Sequence, residues 1–280
     1  MLISTEVGVA LAVLLGLLIG SFLNVVIHRM PKMLENQWAI ECASIAGTLP
    51  PKPVTYNLWV PRSACPSCGH VIQWYENIPV VSYIFLRGKC SACGAGISLR
   101  YPLVELCCGG LFGAVVWQSG VTPSAGAWCV FGSMLLALAI IDWDTTLLPD
   151  DLTLPLMWFG LCAAALGWIS TPFVDSFWGA VGGYLSLWGV FWSFKLATGK
   201  DGMGYGDFKL FAALGAWFGW QALIPIILMA SVVGAVVGIA MKLFSQLRDG
   251  GYVPFGPFLA VAGFTALWVS PARMLQIVGL

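Results

Sequence analysis

Two aspartates stand at the mouths of apolar segments, Asp142 in AIIDWDTTLLPDD and Asp207 in GMGYGDFKLF. An ionisable carboxylate at membrane depth costs roughly 2.5–3.5 kcal/mol even on the lenient insertion scale, so a pair of them beside helix-breaking Gly and Pro points to chemistry. Two carboxylates sharing a site do not both ionise cheaply: one keeps its proton while the other takes one from water, and the pair titrates as a unit. That is aspartyl-protease chemistry, and it needs no metal.

A second constellation is Cys65-Pro-Ser-Cys68-Gly and Cys90-Ser-Ala-Cys93-Gly, two CxxCG knuckles with 21 residues between them. This is the spacing of a four-thiolate zinc ribbon. Each knuckle lets two thiolates converge on one ion, and the site closes a loop too small to have its own core. Two disulfides are the competing reading, which a reducing cytoplasm opposes. Four cysteines leave no open position for water, so the metal is expected to be structural, with His70 outside the ligand set.

The elements that must position these groups follow from composition. With 59% hydrophobic and 9% charged residues, 14 Trp and a mean hydropathy of +0.87, the chain cannot hide its apolar surface in one soluble core, and it reads as an all-α polytopic membrane protein. Thirteen basic and thirteen acidic residues cancel, so no net field favours nucleic acid as a partner. Apolar runs long enough to cross about 30 Å of hydrocarbon fall at 7–28, 103–118, 124–141, 152–169, 177–194, 208–220, 221–241 and 254–272. Eight helices are therefore expected, with Gly219, Trp220 and Pro225 marking either a tight turn between two spans or a kink.

Glu6 precedes the first run, Arg29 and Lys32 follow it, and later loops alternate between bare ones and ones holding Lys195, Lys200, Lys242 and Arg248. The positive-inside rule then sets the N-terminus outside and both Asp142 and Asp207 at the cytoplasmic face. Every Lys and Arg except Arg273 falls on that face under eight spans. The first run has no basic n-region or small-residue cleavage site and is expected to stay as an anchor. Residues 1–28 read as the first transmembrane helix, 29–102 as a polar, Pro-rich, zinc-binding cytoplasmic domain, and 103–280 as the membrane core.

The remaining candidates have blander readings. Asp150 or Asp151, after Pro149, suits the start of a helix, Asp144 reads as solvated or as a partner of the active carboxylates, and Asp207 itself could cap the helix it opens. Cys42, Cys107, Cys108, Cys129 and Cys162 read as small hydrophobes. Gly16/Gly20, Gly109/Gly113, Gly179/Gly183 and Gly234/Gly238 would let helices approach closely, and Trp117, Trp128, Trp168 and Trp178 read as interface-belt residues.

Taken together, GSFLNVVIHRMPK, CPSCGH, WYENIPVVSY, CSACG, ISLRYPLVEL, IDWDTTLLPDDLTLP, TGKDGMGYGDFKL and PFGPFLA make the chain similar, over nearly its full length, to the type IV prepilin peptidases. The resemblance implies a bifunctional leader peptidase and N-methyltransferase of pilus assembly and type II secretion in the bacterial inner membrane. It carries the catalytic pair onto Asp142 and Asp207. Its substrates are prepilins and pseudopilins, with a short basic leader ending in Gly before a hydrophobic helix that usually begins with Phe. Cleavage after the Gly and methylation of the new α-amino group are expected, with S-adenosylmethionine as methyl donor. Gly202, Gly204 and Gly206 do not follow a strand, so they read as backbone bending rather than a nucleotide cradle. Glu76 and Glu105 could meet the basic leader or serve as ordinary solvated or helix-starting carboxylates. The alternatives are an ion-coupled transporter or a non-catalytic scaffold of a pilus or secretion assembly. The sequence specifies no oligomeric state.

Overall fold

A computed structural model describes residues 5–48, 55–200, 202–244 and 253–277. Its helices are α1 (Thr5–Ile45), α2 (Val81–Phe85), α3 (Arg100–Ser119), α4 (Pro123–Thr145), α5 (Asp150–Ala165), α6 (Phe173–Thr198), α7 (Tyr205–Phe218), α8 (Leu223–Leu243), α9 (Gly256–Trp268) and α10 (Pro271–Ile277). Among the described residues there is no strand beyond two isolated antiparallel bridges, Ala64 with Val71 and Lys89 with Gly96. Among the described residues, four helical stretches rather than eight are long and apolar enough by length and hydropathy to cross a membrane: α1, α3, α4 and Trp220–Leu243. The chain divides into two compact units, Met1–Cys129 and Val130–Leu280.

Each of the eight apolar runs coincides with a helix, but the boundaries move for identifiable reasons. Helix α1 does not stop near residue 28: it runs through Pro31 for 41 residues. At 1.5 Å per residue that is roughly 60 Å, twice the hydrocarbon thickness. Only the apolar part of this helix is visible to a hydropathy reading, and its polar continuation is held by local pairs such as Gln37 Nε2 donating to Glu41 (3.0 Å). Between α7 and α8 the chain breaks at Gly219 (φ 81°) and makes one 3-10 turn, Trp220–Ala222. The last run is also split, since α9 ends before Val269, which is extended, and Pro271 opens α10. A residue before proline disfavours helix, which accounts for the break. Arg248, one of the residues behind the orientation reading, lies outside the described residues.

In the first unit α1 packs on α3 through small residues. A Cβ on Gly16 would lie 2.7 Å from the Cys108 carbonyl oxygen, and one on Gly20 2.7 Å from the Glu105 Cα. Asn24 Nδ2 donates to the Tyr101 carbonyl (3.1 Å) at the end of that contact. In the second unit the closest approach is α6 on α7: the backbones of Gly179 and Gly215 touch, and a Cβ on Gly183 would lie 2.8 Å from the Phe211 carbonyl oxygen. Ser176 Oγ donates to the Ala216 carbonyl across the same seam. Trp217, fully buried rather than at an interface, donates from Nε1 to the Leu156 carbonyl of α5 (2.9 Å) and fills the space over Gly160. Cys108 and Cys129 are buried as small hydrophobes.

Gly179→Leu is expected to lower the apparent Tm of the detergent-solubilised protein, because overpacking costs roughly 1–3 kcal/mol where the backbone cannot retreat. Gly189→Ala on the same helix, where an added methyl meets nothing within 4 Å, is expected to leave the Tm unchanged or raise it.

Candidate active site

Asp142 lies in the last turn of α4 and is only 4% exposed. Its Oδ2 accepts a hydrogen bond from the Gly256 N–H (2.9 Å), the first residue of α9. Asp207 is the third residue of α7 and is 7% exposed. Its Oδ2 accepts a long hydrogen bond from the Gly204 N–H (3.3 Å), the residue that caps this helix. So Asp207 does help close the helix start, with Gly204 in the cap position. The two carboxylates, 65 positions apart in sequence (207 − 142), lie close enough for their charges to act on each other.

Three features hold these helix ends. Leu148 wedges between the two glycine turns: a Cβ on Gly206 would lie 2.7 Å from Leu148 Cβ, and one on Gly256 would lie 3.2 Å from Leu148 Cδ1. Gly206 is thus small to admit Leu148. Phe208, fully buried, stacks its edge among Tyr205, Phe191 and Tyr184 with ring centroids 5.3, 5.6 and 6.0 Å away, anchoring the first turn of α7 to α6. Lys209 Nζ then donates to both carboxylate oxygens of Asp150 (2.6 and 2.7 Å), tying that turn to the start of α5. Asp150 is therefore an ion-pair partner, while Asp151 lies exposed in the first turn of α5 and Asp144 is also exposed. Neither the Gly256 donor nor the Lys209 pair was anticipated. Gly256 is more than a hundred residues from Asp142, and no local pattern in PFGPF announces a bond to a carboxylate.

The cysteine knuckles form a separate centre in the first unit. The Sγ atoms of Cys65, Cys68, Cys90 and Cys93 all lie within 4.8 Å of one another, with Cys65 to Cys93 at 3.8 Å and Cys68 to Cys90 at 4.0 Å. A tetrahedron of thiolates at about 2.3 Å from zinc has edges of about 3.8 Å, so this donor set fits such an ion. The knuckles repeat one geometry: Gly69 N–H donates to the Cys65 carbonyl and Gly94 N–H to the Cys90 carbonyl, both at 2.9 Å. Both glycines sit at φ 73°, the left-handed region the turn requires. The Ser67 and Cys68 N–H groups pull the Cys65 thiol down to about 6, whereas against the His70 N–H the Cys93 thiol, burial and the other thiols push Cys68 up to about 12, so the first thiolate of the set forms at Cys65.

Glu76 ties one knuckle to the other. It accepts from the Gln73 N–H (2.8 Å), from the Ser91 hydroxyl between Cys90 and Cys93, and from His70 Nε2 (3.1 Å) beside the first knuckle. These donors, the Gln73 N–H first, hold its carboxyl at about 2. His70 is not part of the four-sulfur cluster. Glu105, buried near the start of α3, accepts from the Val80 N–H (2.8 Å) and so fixes a residue with a left-handed φ of 59°.

A helical membrane protein with two buried carboxylates at neighbouring helix ends belongs to the class that can carry out aspartic hydrolysis. Residues 129–239 match the type IV leader peptidase family and residues 14–119 the bacterial peptidase A24 N-terminal domain. The chain is 56% identical over 256 residues to a prepilin leader peptidase/N-methyltransferase of Pseudomonas aeruginosa, covering 91% of this chain and 88% of that one. It is 54% identical over 258 residues to one of Stutzerimonas stutzeri (91% and 89% covered) and 50% identical over 275 residues to one of Pseudomonas putida (97% and 95%). No solved structure matches. The chain belongs to the type IV leader peptidase family.

Gly256→Ala would set a Cβ 2.6 Å from Asp142 Oδ2. This variant is expected to fold and to lose most peptide hydrolysis, about 10²-fold or more, in a mass-spectrometric cleavage assay. Glu76→Gln is expected to speed metal release to a chromogenic chelator. Because the Glu76 carboxyl is depressed to about 2, its tie should be complete above the ordinary carboxylate range. The difference between parent and variant should therefore be full near neutral pH, where protonation of the thiolates does not itself release the metal.

Proposed function

We propose that this chain cleaves the short basic leader of type IV prepilins and pseudopilins after its terminal Gly, and then N-methylates the new N-terminal residue. The single observation that carries the peptidase reading is the convergence of Asp142 and Asp207, each nearly buried, at the ends of α4 and α7. The names of the relatives supply the substrate class and the second activity.

The two backbone hydrogen bonds support a division of roles. Asp142, with the shorter bond from the Gly256 N–H, is the better stabilised as an anion and serves as the base; Asp207 holds the shared proton. Asp142 takes a proton from water as the oxygen attacks the carbonyl carbon of the scissile Gly, and Asp207 gives its proton to the carbonyl oxygen. Collapse of the tetrahedral diol returns a proton to Asp207, delivers one from Asp142 to the leaving nitrogen and breaks the C–N bond. Gly204, whose added Cβ would meet only its own helix start, leaves one side of the pair open to an extended peptide.

The reading places the chain in the bacterial inner membrane with eight spans and a periplasmic N-terminus. Residues 29–102 and both aspartates would then face the cytoplasm. Cys65, Cys68, Cys90 and Cys93 would hold a structural zinc ion. Bound there, zinc supplies a fixed tetrahedral crosslink and no open position for chemistry. S-adenosylmethionine is the implied methyl donor, and no set of described residues in this all-helical chain forms the strand-and-glycine cradle of a dinucleotide-type site.

Asp142→Asn and Asp207→Asn are each expected to cut prepilin cleavage by about 10²–10⁴-fold or more while the protein still inserts and retains metal. The check is mass spectrometry of a prepilin-like peptide incubated in lipid with the purified protein, with and without S-adenosylmethionine. A new N-terminus after Gly, lost in both variants, with a donor-dependent gain of one methyl, supports both activities. Cleavage retained in either variant would remove that residue from the chemistry.

A further inference from the structure

The stretch that follows α1 does not stand clear of the span. Trp59 stacks on Phe22 of α1 with ring centroids 6.0 Å apart and planes 28° apart, although Trp59 is itself 76% exposed. Phe22 lies inside the apolar run of the N-terminal span, roughly 10 Å along the helix axis from Arg29 at 1.5 Å per residue. The loop 57–62 therefore turns back along α1 beside its apolar run. An exposed indole next to a membrane span suits the membrane–water interface.

Between this loop and α1 lies an open cavity of about 280 Å³. Phe22, Val25, Leu58 and Trp59 line it together with two cations, Arg29 and Arg62, and with polar groups such as Gln73 and Asn77. Phe22, Val25 and Arg29 share one face of α1 by their spacing of three and four. Arg29 is buried, uses one N–H to hold the Asn57 carbonyl (2.9 Å) and lies over the Tyr56 ring (5.7 Å to its centroid). A guanidinium has five N–H donors, and among the described residues neither arginine has a carboxylate partner. The cavity thus combines apolar and aromatic walls with two cations.

We propose that this cavity is a binding site for an anionic glycerophospholipid, its phosphate held between Arg29 and Arg62 and its glycerol and first acyl carbons lying on Trp59 and Phe22. Charge selects this occupant. A basic leader peptide would meet two like charges, and a sulfonium cofactor would find no carboxylate among the described lining residues. The site anchors the extramembrane segment to the bilayer surface beside α1 and does not depend on the peptidase reading.

The test is native mass spectrometry of the full-length protein released from nanodiscs of equimolar phosphatidylglycerol and phosphatidylcholine. The parent protein should retain phosphatidylglycerol preferentially. Arg62→Gln, an exposed and conservative change, should lower that retention about fivefold, as expected for roughly 1 kcal/mol per basic residue near the surface. Trp59→Ala should lower it as well, while Arg87→Gln, a charge lost from the same segment outside the cavity, should leave it unchanged. Equal retention of both lipids, no effect of Arg62→Gln, or an equal loss in Arg87→Gln would overturn the proposal. So would displacement of the lipid by millimolar inorganic phosphate, which would make this a site for soluble anions, or by a prepilin-like peptide.

Discussion

Burying two carboxylates side by side at helix ends is the constraint around which the second unit is arranged. Desolvation and mutual repulsion both oppose it. What offsets them is backbone: the Gly256 N–H for Asp142 and the Gly204 N–H for Asp207. Backbone donors at helix starts suit the purpose because they carry the positive end of the helix dipole and bring no competing side-chain charge. Lys209, the one cation next to Asp207 in sequence, is diverted to Asp150. Under the proposed division of roles, pairing with Asp207 would have displaced the proton that this residue is to deliver.

Rigidity at that site comes from glycine used for contact rather than for bending. Leu148 occupies the space that side chains at Gly206 and Gly256 would claim, and Gly179 and Gly215 bring α6 and α7 together at backbone distance. Lipid offers no hydrophobic gain for helix association, so close approach through small residues is what remains to hold such a seam. The large side chains are then used as fillers, Trp217 over Gly160 and Phe208 among three aromatic rings.

The first unit solves a different problem. Among its described residues, the segment between α1 and α3 has two isolated bridges and two short helical turns for regular structure, too little to bury a core. Its order comes from convergence of four thiols, from Glu76 joining the knuckles, and from Glu105 and Arg29 holding loop backbone at Val80 and Asn57. Polar side chains reaching main-chain groups do here what hydrophobic burial does in a larger domain.

Membrane character, the helical class and the identity of the cysteine set could all be read along the chain, because each depends on local composition or short spacing: long apolar runs, CxxCG repeats, and carboxylates set against hydrophobic neighbours. The same reading singled out Asp142 and Asp207 and missed what holds them. Gly256, Leu148 and the Lys209–Asp150 pair act across large sequence separations, and their residue types are ordinary in loops and helix starts. The length of α1 was also out of view, since hydropathy follows the solvent around a helix and not the continuity of its hydrogen bonds. Sequence by itself determined which groups are costly to bury, because that cost belongs to the side chain. Only the tertiary structure decided which backbone donors meet them, because that depends on where distant helix ends come to rest.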